Sequence, residues 1–309
     1  MQIIDKKSNT IPSPCVASIG FFDGVHKGHY YLIKQVLAEA NRRDLKSALL
    51  TFPIHPAKVM RPDTVMEHLT IRDEKLELLA KTSVDYCFLI DFTKELSQLT
   101  AREFMQFILK DKYNVKVLVI GYDHRFGHNR EEGFEDYCRY GKELGIEVIQ
   151  AKAFYDDSVD VSSSYIRKAI DAGDVLLAEQ YLGYPYFLEG KVIQGKQLGR
   201  TIGFPTANVN VSSPDKLIPK DGVYAVKVLV EDNQEEYWGM LNIGHRPTVD
   251  DGPNRSIEVN ILDFNKDIYN KSIRLLFKHR LRDEVKFSSI DKLVEQLHRD
   301  EESVRELIK

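Results

Sequence analysis

Cysteine is scarce in this chain, with three in 309 residues. Cys15, Cys87 and Cys138 are far apart and form no C-x-x-C pair, which argues against a disulfide framework, a cysteine zinc site or a redox dithiol. The sequence also lacks an apolar run long enough to span a bilayer, and its first residues lack an apolar segment after a basic start. We therefore expect a cytoplasmic protein with reduced cysteines.

The chain also lacks an excess of basic charge. Its 43 lysines and arginines stand against 47 acidic residues, which gives a net charge of -4 without any long basic run. General nucleic-acid binding is therefore not favoured. We further expect no membrane partner, small-molecule substrates, and a monomer or a weak oligomer. With 43% hydrophobic residues the chain is long enough for two domains with separate cores.

The first half shows the pattern of repeated βα units, which predicts a parallel sheet of Rossmann-like type. Helical spacing of Leu32, Ile33, Val36 and Ala40 predicts a helix after an Asp23-Gly24 turn. Capping-box spacing at Thr70 and at Thr100 predicts two further helix starts. The predicted strands cover residues 15–20, 47–52, 86–90, 115–120 and 146–151.

After Gly183 the pattern changes to alternating apolar residues separated by turn formers, which predicts an antiparallel, all-β barrel. We predict domains at residues 1–183 and 184–309, the second ending in an amphipathic helix packed on the barrel by a stripe from Ile290 to Ile308. The predicted barrel strands cover residues 186–193, 222–230, 236–243, 256–262 and 273–281.

The segment Gly20–His29 (GFFDGVHKGH) lies between the first predicted strand and the first long helix. Open α/β sheets bind ligands at the carboxyl ends of their strands, and amides that open a helix attract anions. His26 and His29 can donate hydrogen bonds to phosphate oxygens in the same space. The alternative is a glycine-rich turn with two exposed histidines.

This segment resembles the H-x-G-H motif of the nucleotidyltransferase superfamily, in the form found in prokaryotic FAD synthetases. Gly121–Gly127 and Val161–Arg167 resemble two further motifs of that family. The resemblance implies that His26 and His29 contact ATP phosphates and that Asp123 and Arg125 lie near the flavin. It further implies an ATP site that includes Gly20, Phe22, Gly24, Gly28, Ser163, Ser164 and Arg167.

Two of these assignments have a structural alternative. The serines before Arg167 can act only as a helix cap, and Asp123 with Arg125 can form a solvated loop ion pair. Two positions depart from the family pattern, namely His124 in place of phenylalanine and Ile54 in place of proline. Neither departure removes a phosphate ligand.

The second half carries Gly195–Asn208 (GKQLGRTIGFPTAN), which is not a P-loop. Its glycines permit a loop over phosphates, and Thr206 and Asn208 offer neutral oxygens suited to Mg²⁺. The run closely resembles the P-T-A-N signature of riboflavin kinases. That resemblance implies Mg²⁺–ATP coordination by Thr206 and Asn208, within an ATP site that also includes Gly195, Lys196, Gly203 and Pro205.

Glu258 lies in an otherwise apolar predicted strand, where a carboxylate needs a partner or a function. The resemblance implies that Glu258 is the general base that accepts the proton of the riboflavin 5′-hydroxyl. The alternative is a structural pair with Arg246 or Arg274. Arg282 and Glu284 are expected at the flavin, although Arg282 can equally be an exposed helix-start arginine.

Together the motifs predict a bifunctional enzyme of the prokaryotic riboflavin kinase/FAD synthetase family, with ATP as co-substrate and FMN and FAD as products. Agreement of several motifs with the predicted elements favours this interpretation. One rival keeps the fold but has a single active domain. A second rival is a flavin or nucleotide sensor without turnover, which no helix-turn-helix pattern or basic face supports.

Overall fold

The computed structural model describes residues 1–8, 12–64, 66–122, 124–156, 159–195, 197–231, 235–245 and 255–308. The chain divides into two compact units, Met1–Ser163 and Ser164–Lys309. The predicted boundary between residues 183 and 184 stays a prediction. Among the described segments, every helix is too short or too polar to cross a lipid bilayer.

The first unit contains a parallel six-stranded sheet in the order β1-β4-β3-β2-β5-β6. Its strands are β1 (Gln2–Ile4), β2 (Cys15–Ile19), β3 (Lys46–Thr51), β4 (Tyr86–Leu89), β5 (Val115–Ile120) and β6 (Glu147–Gln150), and a small ribbon adds β7 (Tyr155–Asp156) and β8 (Val159–Asp160). The five predicted strands are confirmed within one residue at each end. The edge strand β1 was not predicted, because three residues carry too short a pattern.

Helices connect these strands. They are α1 (Lys27–Arg42), α2 (Pro56–Met60), α3 (Arg72–Ala80), α4 (Lys94–Ser97), α5 (Ala101–Glu103, continued as a π-helix over Phe104–Lys112) and α6 (Phe134–Leu144). The stripe predicted for α1 is confirmed, since Ile33, Val36 and Ala40 are buried. The capping box at Thr100 is confirmed as well, because Thr100 and Glu103 exchange hydrogen bonds.

The capping box predicted at Thr70 is wrong by one residue. The N-cap of α3 is Ile71, whose amide donates to Glu74 at 3.0 Å. Thr70 instead contacts the turn after β2, where its hydroxyl accepts from the amide of Gly24 at 2.9 Å. A long-range partner has therefore displaced the local cap.

The second unit contains a closed antiparallel barrel in the order β10-β13-β12-β11-β14-β9. Its strands are β9 (Phe187–Ile193), β10 (Ala207–Val211), β11 (Gly222–Val230), β12 (Glu236–His245), β13 (Arg255–Ile261) and β14 (Ser272–Arg282). The helices of this unit are α7 (Ser163–Ala172), which begins at the last residue of the first unit, then α8 (Val175–Leu182), α9 (Leu198–Thr201) and α10 (Ile290–Glu306). The predicted fold class is confirmed. The five predicted barrel strands are confirmed too, within two residues at each end.

The last helix packs on the barrel, as predicted, but only through its middle and late turns. Val304 is fully buried, and Val294 and Leu297 pack against a cluster that contains Phe204 and Met240. The two ends of the predicted stripe, Ile290 and Ile308, are exposed. Helix ends therefore contribute little to this contact.

An ion pair fastens the same helix to β14. The guanidinium of Arg282 donates from Nε and Nη2 to the carboxylate of Asp300, at distances of 2.8 to 3.0 Å. Only 4% of the Asp300 side chain is exposed, and Gln296 donates to the same carboxylate at 2.8 Å. The buried carboxylate is thus fully engaged, which is the condition for a buried ion pair to be stable.

Substitution of Asp300 by alanine is expected to lower the free energy of unfolding by about 3 kcal/mol, because the Arg282 guanidinium would lose its buried partner. Urea unfolding followed by the fluorescence of Trp238, the one tryptophan of the chain and a residue of β12, measures this effect for the barrel. The control is Asp263→Ala. Asp263 is the exposed partner of Arg305, which lies on the same helix as Asp300, and an exposed pair contributes little to stability. An equal loss in both variants would contradict the argument.

Candidate active sites

The turn after β2 lies where the sheet changes direction. Strand β3 lies on one side of β2 and β5 on the other, and a crevice at such a switch point is the usual ligand site of open α/β sheets. The backbone of the turn is unusual, because Phe22, Gly24 and Val25 have φ of 55°, 75° and 37°. Glycine adopts such values at little cost, whereas phenylalanine and valine need support from their surroundings.

Asp23 supplies part of that support. Its carboxylate is buried and accepts from the amides of Leu69 and Thr70 at 3.2 and 3.0 Å. The hydroxyl of Thr51 donates to the carbonyl of Phe21 at 3.1 Å. The sequence identified Asp23 only as a turn former, whereas the structure shows that it holds the turn against the segment before α3.

His26 is the N-cap of α1, and its Nδ1 accepts from the amide of His29 at 3.3 Å. An Nδ1 that accepts places the proton of neutral His26 on Nε2. The two imidazoles are stacked with their centroids 3.6 Å apart. A Cβ on Gly28 would lie 3.1 Å from the His26 ring and 3.3 Å from the carbonyl of Val161, so glycine there allows this close packing.

His29 differs from His26 in its hydrogen bonding. Its Nδ1 is buried and has no hydrogen-bond partner among the described residues. Burial lowers the pKa of His29 well below its ordinary 6.5, and the neighbouring His26 and Lys75 lower it further. His29 is therefore neutral at physiological pH, and it can act on phosphate oxygens as a hydrogen-bond donor.

The remaining predicted residues of this site are only partly brought together. The Ser163 hydroxyl donates to the carbonyl of Asp23 at 2.9 Å, so Ser163 lies beside the turn. Ser164 and Arg167 follow on α7 in the second compact unit, where Arg167 Nη2 donates to Ser164 Oγ at 3.2 Å. Gly20 directly follows β2, and its amide donates to the carbonyl of Leu50 in the neighbouring strand β3 at 3.0 Å.

A cavity of about 380 Å³ lies at the carboxyl ends of β5 and β6, on the other side of the switch point. Arg125 is an exposed part of its lining, together with His124, Tyr122, Phe134 and Tyr137. The lining includes the position where His124 departs from the family pattern. Asp123, the other predicted flavin residue, lies outside the described residues.

In the barrel unit, the P-T-A-N segment opens β10 beside a cleft of about 480 Å³. The cleft is lined by Pro205, Thr206 and Arg200, and on its far side by the segment from Phe264 to Tyr269. The side-chain amide of Asn260 donates to the carbonyl of Pro205 at 2.7 Å and so fixes the start of the strand. The sequence reasoning missed the segment 264–269, although its aromatic residues near a turn signal were a visible clue.

Asn208 is buried and its side-chain amide packs closely against Gly195. A Cβ at position 195 would collide with that amide, so the packing requires glycine there. Asn208 is also the register partner of Glu258 across β10 and β13. Gly203 supports the preceding loop with a φ of 84°. The structure therefore brings Thr206, Asn208 and Glu258 to one region of the barrel, whereas Lys196 lies outside the described residues.

Glu258 is half-buried, and its carboxylate forms no hydrogen bond or ion pair within the described part of the chain. Of the two structural partners considered above, Arg274 pairs with Glu189 instead, and Arg246 lies outside the described residues. Arg282 is bound to Asp300 as described above. Glu284 is exposed and lies against Gly244, where a Cβ would collide with its carboxylate.

Comparison with known proteins matches both halves of the chain to family models. Residues 8–165 match a model described as FAD synthetase, and residues 182–308 match one described as riboflavin kinase. Proteins named bifunctional riboflavin kinase/FMN adenylyltransferase are similar over nearly the whole chain. The one from Escherichia coli strain K12 is 38% identical and covers 99% of this chain and 97% of its own, and the one from Listeria monocytogenes is 39% identical, with 94% and 91% covered.

A solved structure is similar as well. A crystal structure described as that of a macrolide-efflux protein from Streptococcus pneumoniae has a TM-score of 0.89 and 35% sequence identity, and the match covers 98% of each chain. That description differs from the names of the curated relatives, and it applies to the Streptococcus protein alone. The motifs and family models of the present chain agree with the curated relatives.

His29 is expected to remain neutral at pH 6.5, because burial and the charge of Lys75 oppose its protonation. The unfolded chain binds more protons than the folded chain below that pH, so this group makes the fold less stable as the pH falls. Histidine-ring NMR spectra between pH 5 and 8 measure the protonation directly. A His29 signal that titrates at or above pH 6.5 would contradict the burial argument.

Proposed function

This chain belongs to the family of bifunctional riboflavin kinase/FMN adenylyltransferases, and we propose that its two reactions take place at the Gly20–His29 turn and at the P-T-A-N end of the barrel. The enzyme phosphorylates riboflavin to FMN with ATP and adenylylates FMN to FAD with release of pyrophosphate. The family models divide these activities between the two halves of the chain.

In the proposed adenylyltransferase site, the amides that open α1 bind the ATP phosphates. A helix N-terminus carries partial positive charge and unpaired N–H groups, which suit an anion. His26 and His29 add neutral donors that stabilise the charge that builds up when the FMN phosphate attacks the α-phosphorus of ATP. The observation that carries this assignment is the buried His29 Nδ1, which lacks a partner among the described residues at this helix start.

The rest of that site follows the family motifs. Ser163, Ser164 and Arg167 are proposed to hold the triphosphate, and Arg125 and Asp123 to face the flavin. Support for Ser163 comes from its hydrogen bond to the turn, and support for Arg125 comes from the cavity that it lines. The reaction itself requires mainly positioning and electrostatic stabilisation from the protein.

In the proposed kinase site, Glu258 accepts the proton of the ribityl 5′-hydroxyl as that oxygen attacks the γ-phosphorus of ATP. A general base needs hydrogen-bond reach and an accessible lone pair, and the carboxylate of Glu258 has no competing partner in the described chain. Thr206 and the neighbouring cleft hold the nucleotide, with Gly195, Gly203 and Pro205 shaping the loop over it. Arg282 and Glu284 are proposed to contact the flavin.

Mg²⁺ is the metal proposed for the kinase site. Thr206 and Asn208 supply neutral oxygens, which are ligands of the type that Mg²⁺ accepts. The described residues form no cluster of three or more histidine, cysteine or acidic side chains that could hold a metal. A Mg²⁺ ion here would therefore depend on the phosphates of ATP and on water for its remaining ligands, and it would neutralise phosphate charge.

Location, partners and domain boundary are part of the proposal too. A cytoplasmic location fits the three unpaired thiols. The absence of a nucleic-acid partner fits the net charge of -4. We propose that the protein is a monomer or a weak oligomer. A domain boundary near residues 183 and 184 fits the start of the riboflavin kinase match at residue 182.

His29→Ala is expected to abolish FAD formation while riboflavin is still converted to FMN, because only the adenylyltransferase site loses a phosphate donor. Loss of one such donor typically costs about 10²- to 10³-fold in kcat. Chromatography of the flavins formed from riboflavin and Mg²⁺–ATP measures both steps in one sample. The control is His128→Ala, which removes an exposed histidine of the same unit. Normal FAD output from His29→Ala would refute this site.

Glu258→Gln is expected to lower FMN formation by at least about 10²-fold, because the amide cannot accept the hydroxyl proton. Conversion of added FMN to FAD should be unchanged in the same protein. Glu236→Gln is the matched control, since Glu236 lies at the start of β12 and pairs with Lys227. Unchanged kinase activity in Glu258→Gln would disprove the base assignment.

A further inference from the structure

Lys75 is a buried lysine beneath the turn that leads to His26. Its side chain on α3 is almost completely buried, with 1% of the residue exposed. The ammonium donates to the carbonyl of Phe21 at 3.0 Å and to the carbonyl of Phe52 at 2.8 Å. It also lies 3.9 Å from the centroid of the Phe21 ring. Neither the sequence motifs nor the family resemblance identified this residue.

The two carbonyls that Lys75 binds stand at equivalent places in the sheet. Phe21 lies two residues after the end of β2, and Phe52 comes directly after β3, the neighbouring parallel strand. Phe22, the residue after Phe21, is the first of three residues of the turn with positive φ, and Gly24 and Val25 are the others. The ammonium therefore ties the exit of β3 to the exit of β2, immediately before the strained turn.

Charged and titratable groups surround this ammonium. The carboxylate of Asp23 attracts it, whereas Arg72 repels it, and the same ammonium disfavours protonation of His29. The Cys87 thiol is also near, but burial raises the pKa of Cys87 to about 12, so it stays neutral below that pH. His68 lies 4.0 Å from Asp23, and His55 contacts the Phe21 ring edge-on.

Burial of an ammonium works against stability. The pKa of Lys75 falls from 10.5 to about 8, with burial as the main cause. The unfolded chain thus binds this proton more tightly than the folded chain, and the charge costs stability at neutral pH. A methionine at this position would fill a similar volume without that cost. A costly charge directly under a phosphate site calls for a functional explanation.

We propose that Lys75 is a positioning residue for adenylyl transfer, whose ammonium holds the carbonyls after β2 and β3 and thereby sets the position of His26, His29 and the first amides of α1. This inference rests on the proposed adenylyltransferase site. Misplacement of reacting groups by about 1 Å can cost about 10²-fold in rate. Loss of the ammonium should therefore reduce FAD formation without affecting the kinase reaction.

The test uses the full chain and follows both reactions. Lys75→Met is expected to lower kcat for FMN conversion to FAD by about 10- to 100-fold, with a smaller change in KM for ATP and unchanged conversion of riboflavin to FMN. Lys81→Met is the matched control, because Lys81 is the exposed C-cap of α3. A Lys75→Met enzyme with FAD formation within about twofold of the unaltered enzyme would overturn the proposal.

The pH dependence gives a second readout that a merely structural role would not change. FAD formation by the unaltered enzyme is expected to decline as the pH rises through about 8. The neutral amine of Lys75 then donates weaker hydrogen bonds to the two carbonyls, and the charge of Asp23 is no longer compensated. Lys75→Arg keeps a charge that does not titrate in this range, so its FAD formation should persist to higher pH. The same alkaline decline in both enzymes would overturn the proposal.

These outcomes remain informative if Lys75→Met fails to fold and loses both activities, because the comparison of Lys75→Arg with the unaltered enzyme then decides. The kinase reaction of each protein reports any effect of pH on ATP itself. Failure of the site assignment looks different from failure of this inference. Normal FAD formation in His29→Ala would show that the site lies elsewhere, whatever the Lys75 variants do.

Discussion

The turn between β2 and α1 has a backbone conformation that its own residues do not favour, and the proposed adenylyltransferase site depends on it. Phe22 and Val25 both have positive φ, and such positions cost about 1–3 kcal/mol each in residues other than glycine. The cost is offset by contacts from outside the turn. Asp23 binds the amides before α3, and Thr51 and Lys75 bind the carbonyl of Phe21. The position of His26 thus depends on contacts made at the carboxyl ends of neighbouring strands and before α3.

The two proposed sites would hold ATP with different chemical groups. The α/β unit offers main-chain amides at a helix start and two neutral imidazoles, with the buried ammonium of Lys75 beneath the turn. The barrel unit offers a cleft beside Thr206 at the start of β10, with Asn208 and Glu258 as register partners across β10 and β13. In the proposed kinase site, Mg²⁺ would supply the missing positive charge. The two sets of groups suit the two reactions. The kinase step needs a base that accepts a hydroxyl proton, whereas in adenylyl transfer the nucleophile is the FMN phosphate, which needs no base.

Features set by local pattern were predictable from the sequence, and features set by long-range contact were not. The strands β2 to β6, β9 and β11 to β14 follow from apolar runs and alternation, which are local. Thr70 shows the limit, because its capping pattern was present but its hydroxyl binds Gly24, 46 residues earlier in the chain. Asp23 and Lys75 show it again, since their partners come from other segments.

The candidate sites divide in the same way. Gly20–His29 and the P-T-A-N segment could be identified because the functional residues of each lie close together in the sequence. The cleft segment from Phe264 to Tyr269 could not, since it becomes part of a site only when the barrel brings it opposite Pro205 and Thr206. Arg282 shows that a cation in a recognised segment can have a structural partner, because Asp300 binds its guanidinium at three short contacts. A hydrogen bond from Arg282 to a flavin therefore has to use an N–H group that Asp300 leaves unengaged, such as one on Nη1, which also donates to the carbonyl of Asp283.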